Sequence, residues 1–198
     1  GRRHRCSHVL LTTHEDAEND WIRVPLVAGA GPVTQTQHAT FDGRGVALFN
    51  EDTIDVVENV QATVGYRLES IQMSSTNRIP GGPDGRVEDY TVRLPATSVA
   101  WTFAPRTALF VGRQKSFRTP YYDNFNPANN AGDEVQPEFA TSREIGVRTR
   151  GHWGFSASAT AFRNVFVDQA IPVTGAGGVT LMQNVGKSVN DGTELELS

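Results

Sequence analysis

The chain has a single cysteine, Cys6, in 198 residues, which excludes an internal disulfide and a cysteine-based zinc cluster. Long hydrophobic runs are missing as well. The longest unbroken apolar stretches are four residues, Val46–Phe49 and Ala108–Val111, against the roughly 18–20 that a spanning helix needs. A helical membrane protein is therefore excluded. There is no excess of positive charge: the net is -4, which argues against nucleic acid as a partner. The basic start Gly1-Arg2-Arg3-His4-Arg5 is followed by no apolar stretch and no cleavage site, so it does not read as a signal peptide. Residue 1 is glycine rather than methionine, and a piece of a longer polypeptide is expected. Low-complexity tracts are absent too. Ten Phe, four Tyr and three Trp supply the material for a core that a disordered chain lacks.

What is present is a period of two. In Val60-Gln61-Ala62-Thr63-Val64-Gly65-Tyr66-Arg67-Leu68-Glu69 every even position is apolar and every odd one is polar or glycine. On a strand that pattern sets one apolar face against one wet face. Phe155–Ala161 repeats it with small residues, Ile145 and Val147 alternate with Glu144, Gly146 and Arg148, and Thr193, Leu195 and Leu197 alternate with Glu194 and Glu196. The phase changes once: Val92-Leu94-Ala96 gives way to Val99-Trp101-Phe103, which predicts a bulge or bend near Pro95–Ser98. Strands are expected near 44–55, 59–72, 91–103, 107–117, 139–149, 154–168 and 182–197, with a weaker one near 3–13.

The connections alternate in length. Val56-Val57-Glu58, Ala104-Pro105-Arg106 and Arg150-Gly151-His152-Trp153 are tight turns, whereas 14–43, 73–90, 118–138 and 169–181 are long and rich in Gly, Pro, Asn and Asp. In an antiparallel up-and-down meander, alternate connections share an end, so short turns fall on one rim and long loops on the other. A soluble β-sandwich also produces alternating strands. It does not require the short/long alternation, nor strands well above the usual ~5–6 residues. A large transmembrane β-barrel accounts for both. Trp101 and Phe103 flank one short turn and Trp153 and Phe155 flank the next, as an interfacial aromatic girdle requires.

Several segments carry a family likeness. Leu48-Phe49-Asn50-Glu51-Asp52-Thr53-Ile54 runs into a short turn. Thr63–Glu69 is similar to a "pGlRyE" strand, with Val64 in place of the usual proline. Gln136-Pro137-Glu138 followed by Glu144-Ile145-Gly146-Val147-Arg148 is similar to "L-x-PE … E-x-G-x-R". Asn184-Val185-Gly186 followed by Gly192-Thr193-Glu194-Leu195-Glu196 matches "N-x-G … G-x-E", and Arg118-Thr119-Pro120 falls where a basic or aromatic residue and a proline are frequent. In this order, from Leu48 onward, the chain resembles the C-terminal barrel half of TonB-dependent outer-membrane receptors of the siderophore and ferric-citrate type.

The resemblance implies a partial barrel over residues 1–198 in a Gram-negative outer membrane, with seven or eight of about 22 strands. The family's plug and the segment that TonB grips have no counterpart here, so contact with TonB is expected only through an absent plug, and the fragment alone is not expected to transport. Expected partners are outer-membrane lipid and a ferric siderophore, with iron as chelated cargo and no cofactor. Arg78, Arg86, Arg118, Tyr121 and Tyr122 in the long loops are the candidate ligand contacts, because arginine forks suit the carboxylates of an anionic chelate. Opposing this, residues 118–138 sum to -3, from Arg118 against Asp123, Asp133, Glu134 and Glu138. Arg67, Glu69, Glu144, Arg148, Glu194 and Glu196 are expected to face a hydrated lumen, where cross-strand Arg/Glu pairs would steady the wall. Rival readings are the same barrel importing cobalamin, an oligosaccharide or another nutrient, and a soluble carbohydrate-binding sandwich.

No enzyme is expected. The glycine-rich Gly29-Ala30-Gly31-Pro32 and Gly175-Ala176-Gly177-Gly178 precede no helix pattern. Asp168 is a carboxylate that polar loop composition already explains. His4, His8 and His14 would share a metal only on a helix, and this region reads as a strand, so no metal site is expected.

Overall fold

The alternating segments become eight strands. In the computed structural model they are β1 (His4–Arg23), β2 (Thr34–Val57), β3 (Val60–Asn77), β4 (Arg86–Ala104), β5 (Thr107–Arg118), β6 (Glu138–Arg150), β7 (Ser156–Thr174) and β8 (Thr180–Leu197). The structure describes residues 4–23, 34–78, 85–121, 135–151, 154–174 and 180–198, with the backbone path alone for 15–23, 34–38 and 180. Neighbours in sequence are neighbours in space: the sheet order is β1 through β8, and each adjacent pair is antiparallel. This is an all-β up-and-down meander. A sandwich would lay a second sheet over Leu68. Among the described residues every strand lies in one sheet, and Leu68 is 37% exposed.

The strands run further into the long segments than expected: β3 reaches Asn77, β4 begins at Arg86, β7 reaches Thr174 and β8 begins at Thr180, and the largest difference is at the first loop. Segment 14–43 reads as a loop, yet β1 continues to Arg23 and β2 begins at Thr34, paired from Thr13↔Gly45 up to Arg23↔Thr34. His14–Asp20 is polar at nearly every position and has no apolar alternation to mark it. Pairing there follows the backbone ladder already begun below. The glycine-rich segments 29–32 and 175–178, together with Trp153 and Tyr122, lie outside the described residues. At the β4–β5 turn, Pro105 pre-sets its own backbone angle and Arg106 takes the left-handed φ of 62°. Trp101 and Phe103 lie beside this turn with ring centroids 5.5 Å apart.

Directly paired residues share a face, so register carries face identity across the sheet. One row reads Val60, Trp101, Leu109, Val147, Ala159, Leu195; the next reads Gln61, Ala100, Phe110, Gly146, Thr160, Glu194. The first row belongs to a continuous apolar face with Ala62, Val99, Val111, Ile145 and Leu197. Among the described residues no protein layer covers it, and Leu195 is 83% exposed.

Toward the long loops the two faces exchange chemistry. Phe41, Ile71, Met73 and Tyr90 form a buried cluster with Ala39, against which Phe117 packs, and Val92 and Leu94 are buried beside it. By register those of β2, β3 and β4 share a face with Gly65, Arg67 and Glu69. The opposite face is polar at that height, where Gln72 donates to Asp89 at 3.0 Å. This explains the phase change in β4 and corrects the expected bulge. The β3–β4 ladder runs without a shift from Val60↔Trp101 to Ser75↔Arg86. The apolar residues change sides because the surroundings do, while the backbone stays in step.

Two glycines on the polar face make room for rings. A Cβ built on Gly146 would stand 2.6 Å from Phe110 Cζ and 2.7 Å from the Ala159 carbonyl; one on Gly192 would stand 2.6 Å from Phe162 Cζ. Each ring lies across the neighbouring strand's bare backbone. Gly146→Val is expected to cost ~1–3 kcal/mol by overpacking, read as a lower urea midpoint for the folded, heat-modifiable form. Val147→Ala, on the opposite face, should shift that midpoint less.

Candidate functional site

Six charged side chains expected on one face do share one. Arg67 pairs with Leu94 and Glu69 with Val92 in register; Glu144 lies in the row of Gly112 and Phe162; Arg148 and Glu196 lie in the row of Ala108 and Ser158; and Glu194 lies in the row of Gly146. Their partners differ from the cross-strand pairs expected. Arg67 Nε donates to Glu69 Oε2 at 2.7 Å, two residues along the same strand. Glu144 lies over Gly112, and the Arg148 guanidinium sits 5.7 Å from the Phe110 ring centroid. Near the short turns this face lines a hollow of about 1020 Å³, bounded by Arg106, Phe110, Arg148, Ser158 and Glu196.

At the long-loop end a second hollow, about 460 Å³, is lined by Thr13, Glu69, Ile71, Met73, Arg118 and Tyr121. Here the chain leaving β5 turns across the sheet. Arg118 Nη1 donates to Tyr121 Oη at 2.9 Å and its guanidinium stands 5.0 Å from the Tyr121 ring centroid, while Nη2 donates to Glu138 Oε2 at 2.6 Å. The arginine is thus oriented by two partners and largely neutralised by one. Arg86 is engaged elsewhere, its Nε donating to Glu88 at 2.6 Å. Arg78 is exposed one residue past β3, and Tyr122 lies outside the described residues. Of the five loop residues singled out by sequence, the structure brings Arg118 and Tyr121 together.

A clip behind this hollow was not foreseen, although its residues belong to the quoted motifs. The Gln136 N–H donates to Asn184 Oδ1 at 2.6 Å, and Asn184 Nδ2 donates to the carbonyls of Gln136 at 2.9 Å and Asp168 at 2.6 Å. The Asn184 amide thus meets the Gln136 backbone as a strand neighbour would. Glu138 joins it: one oxygen holds Arg118 and the other accepts the Ala170 N–H at 3.0 Å. The clip is needed because β7 breaks register between Phe166 and Ala170, with Asp168 at a φ of 57°, freeing backbone groups that require partners. The role seen for Asp168 is therefore that of its backbone carbonyl, in the bulge. Tyr90 Oη donates to the Val135 carbonyl at 3.2 Å and fixes the start of the same segment. The spacing of Pro137-Glu138 and Asn184 was the available signal; which groups they meet required the bulge.

The histidines lie on β1 and have separate partners: His4 contacts Asp52 at 3.1 Å, His8 contacts Asn50 at 2.9 Å and His14 lies 3.7 Å from Asp42. Among the described residues no group of three or more His, Cys, Asp or Glu has the arrangement to hold a metal ion.

A model of the TonB dependent receptor-like β-barrel matches residues 11–198. The chain belongs to that family, whose members are proteins of the Gram-negative outer membrane, and its apolar face is the one that meets lipid. Solved structures agree in fold. The ferric citrate transporter FecA in its unliganded form superposes with a TM-score of 0.76 at 23% identity, covering 99% of this chain and 29% of that one. The ferric-catecholate import receptor Fiu from E. coli K12 in its closed form gives 0.73 at 14% identity, covering 99% and 32%. The copper transporter OprC gives 0.69 at 18% identity, covering 97% and 32%. The chain thus spans about a third of the length of these proteins. No curated protein matches it significantly in sequence.

Replacing Asn184 by alanine removes three hydrogen bonds and strands the Gln136 N–H. The expected cost is ~1–3 kcal/mol, measured as a loss of urea stability. Val185→Ala, an exposed neighbour on β8, should leave stability within about 0.5 kcal/mol.

Proposed function

We propose that this sheet is part of the wall and mouth of an outer-membrane receptor that imports a ferric siderophore, ferric citrate being the type favoured. The observation that carries this is the hollow at the long-loop end, where Arg118 and Tyr121 are held side by side above the face that carries Arg67 and Glu69. A guanidinium with two of its N–H groups engaged still has others to offer a carboxylate or catecholate oxygen. Glu138 spends part of its charge on the Ala170 N–H, so Arg118 keeps some attraction for an anion. The neighbouring Ile71 and Met73 supply an apolar floor.

Iron travels inside its chelate, so the chain needs no metal ligands of its own. Transport rather than catalysis is the activity. Among the described residues β1 and β8 each have one unpaired edge in the sheet order, which lipid does not satisfy. Completion by further strands of a closed barrel follows. The polar face with Arg67, Glu69, Glu144, Arg148, Glu194 and Glu196 then lines a hydrated lumen. Capture takes place at the mouth, and the family resemblance implies release inward when TonB acts on a plug. The fold is shared with a protein named as a copper transporter, so a different cargo is the second reading.

Two outcomes are expected. In the complete receptor, Arg118→Ala should weaken ferric siderophore binding roughly tenfold, since it removes charge-assisted hydrogen bonds. Arg86→Ala, whose charge Glu88 already takes, should change it less than about threefold. Growth of an iron-limited strain on defined iron sources reads out both and identifies the cargo; rescue by no ferric chelate would defeat the siderophore reading. For the wall, Val111→Arg on the apolar face should cost ~2–4 kcal/mol in bilayers. Gln114→Arg on the polar face should cost under about 0.5 kcal/mol. Equal costs in urea unfolding from vesicles would contradict the lipid-facing assignment.

A further inference from the structure

The polar face carries a second arginine cluster, at the end opposite Arg118, which cargo capture at the mouth does not use. Arg106 stands in the β4–β5 turn, Arg148 and Arg150 close β6, and all three line the hollow of about 1020 Å³ at the short turns. Pairing sets Arg148 beside Ala108 and Ser158, and Arg150 beside Ser156. The Arg150 N–H donates to the Arg106 carbonyl at 3.0 Å, which joins the two turns. Arg106 Nη1 donates to the Gly151 carbonyl at 3.4 Å, and Arg148 stands over the Phe110 ring. Among the described residues no carboxylate forms an ion pair with any of the three. Of the described residues lining the hollow, Glu196 is the one carboxylate, and it accepts from Ser158 Oγ at 3.4 Å. Counting Glu194 as well, two residues deeper on β8, three cations face two anions.

Two observations separate this cluster from ordinary solvated rim charge. Arg106 holds a φ of 62°, a conformation that glycine takes without steric cost, so the guanidinium is kept there against a backbone preference. The walls beneath the three side chains are small, with Ala108, Ser156, Ser158 and Gly151 leaving a recess floored by Phe110. A recess rimmed by guanidinium groups suits a compact polyanion. Its place on the strand is equally specific. Arg106 and Arg118 bracket β5, about 40 Å apart along it, and Glu144 lies on the face between them. Favourable ground for an anion is thus confined to the two ends. The short-turn end is the periplasmic one in such barrels, and the turn residues Arg106, Gly151 and Gly154 on the lining open the hollow at that rim.

We propose that Arg106, Arg148 and Arg150 form an exit site, which holds the anionic ferric chelate at the periplasmic end of the barrel after it has left the mouth. Guanidinium forks match the carboxylate or catecholate oxygens of such a chelate as they do at the entrance. The inference rests on the import reading and adds a second station to it.

The test removes the entrance site and asks what remains. Complete receptor carrying Arg118→Ala, in phosphatidylcholine nanodiscs at low ionic strength, is dialysed against radiolabelled ferric citrate. It is expected to retain a salt-sensitive site. R106G should weaken that site roughly threefold and R106G/R148Q/R150Q at least tenfold, since charge-assisted hydrogen bonds are lost; R148K/R150K should keep most of it. In energised cells with Arg118 intact, the R106G/R148Q/R150Q receptor should bind ferric citrate at the surface within about twofold of wild type and import it roughly tenfold more slowly. An Arg118→Ala receptor that holds no more ferric citrate than empty nanodiscs, or equal retention with and without the three arginines, overturns the proposal. So does unchanged import. Should the triple variant fail to give a heat-modifiable barrel, R106G decides alone, because glycine suits that backbone. Failure of the import reading shows separately, as no growth on any ferric chelate while the nanodisc site still binds.

Discussion

Hydrocarbon offers no partner to a peptide N–H or C=O, and each one left bare there costs several kcal/mol. Long antiparallel ladders answer that constraint here, each strand supplying the groups its neighbours need. Strands of 12 to 24 residues in strict chain order do so with no crossover, because a meander lets every strand pair with the one just made. Side chains are then free to differ completely between faces. Lipid meets Val99, Trp101, Val111, Ile145 and Leu195 on one side, while Arg148, Glu194 and Glu196 are held on the other.

Several strands are longer than a bilayer requires, and the excess stands in another medium. The exchange of faces above Leu68 is the consequence. Past the hydrocarbon, the outer side is in water and carries Gln72, Asp89 and Thr91. The inner side gathers Phe41, Ile71, Met73 and Tyr90 into a small core. One unbroken ladder serves both media, since hydrogen bonding along the strand is indifferent to which side is wet.

The short motifs turn out to be devices of this ladder. In E-x-G-x-R, Gly146 gives space to Phe110 and Arg148 stands over the same ring. In the later motif Gly192 does the same for Phe162. Pro137-Glu138 and Asn184 repair the bulge in β7, and Glu138 extends that repair to Arg118. The wall is thereby coupled to the mouth: the carboxylate that closes a gap in the backbone ladder also aims the arginine nearest the hollow.

The period-two pattern made the strands, their order and the all-β class legible, because burial on one side of a pleat shows directly in alternate residues. Shared-face membership of Arg67, Glu69, Glu144, Arg148, Glu194 and Glu196 followed from the same arithmetic. The upper half of β1 was hidden, since a ribbon polar on both sides leaves no trace in hydropathy. The phase change in β4 was visible, but its cause was not: a bulge and a change of surroundings write the same letters. Only the assembled sheet showed that Arg118 meets Glu138 and Tyr121, that Asn184 closes the β7 bulge, and that Arg106 comes up beside Arg148 and Arg150. Apart from the local Arg118–Tyr121 contact, these depend on register between segments 16 to 48 positions apart, and alternation within one strand carries no information about which residue of the next lies opposite.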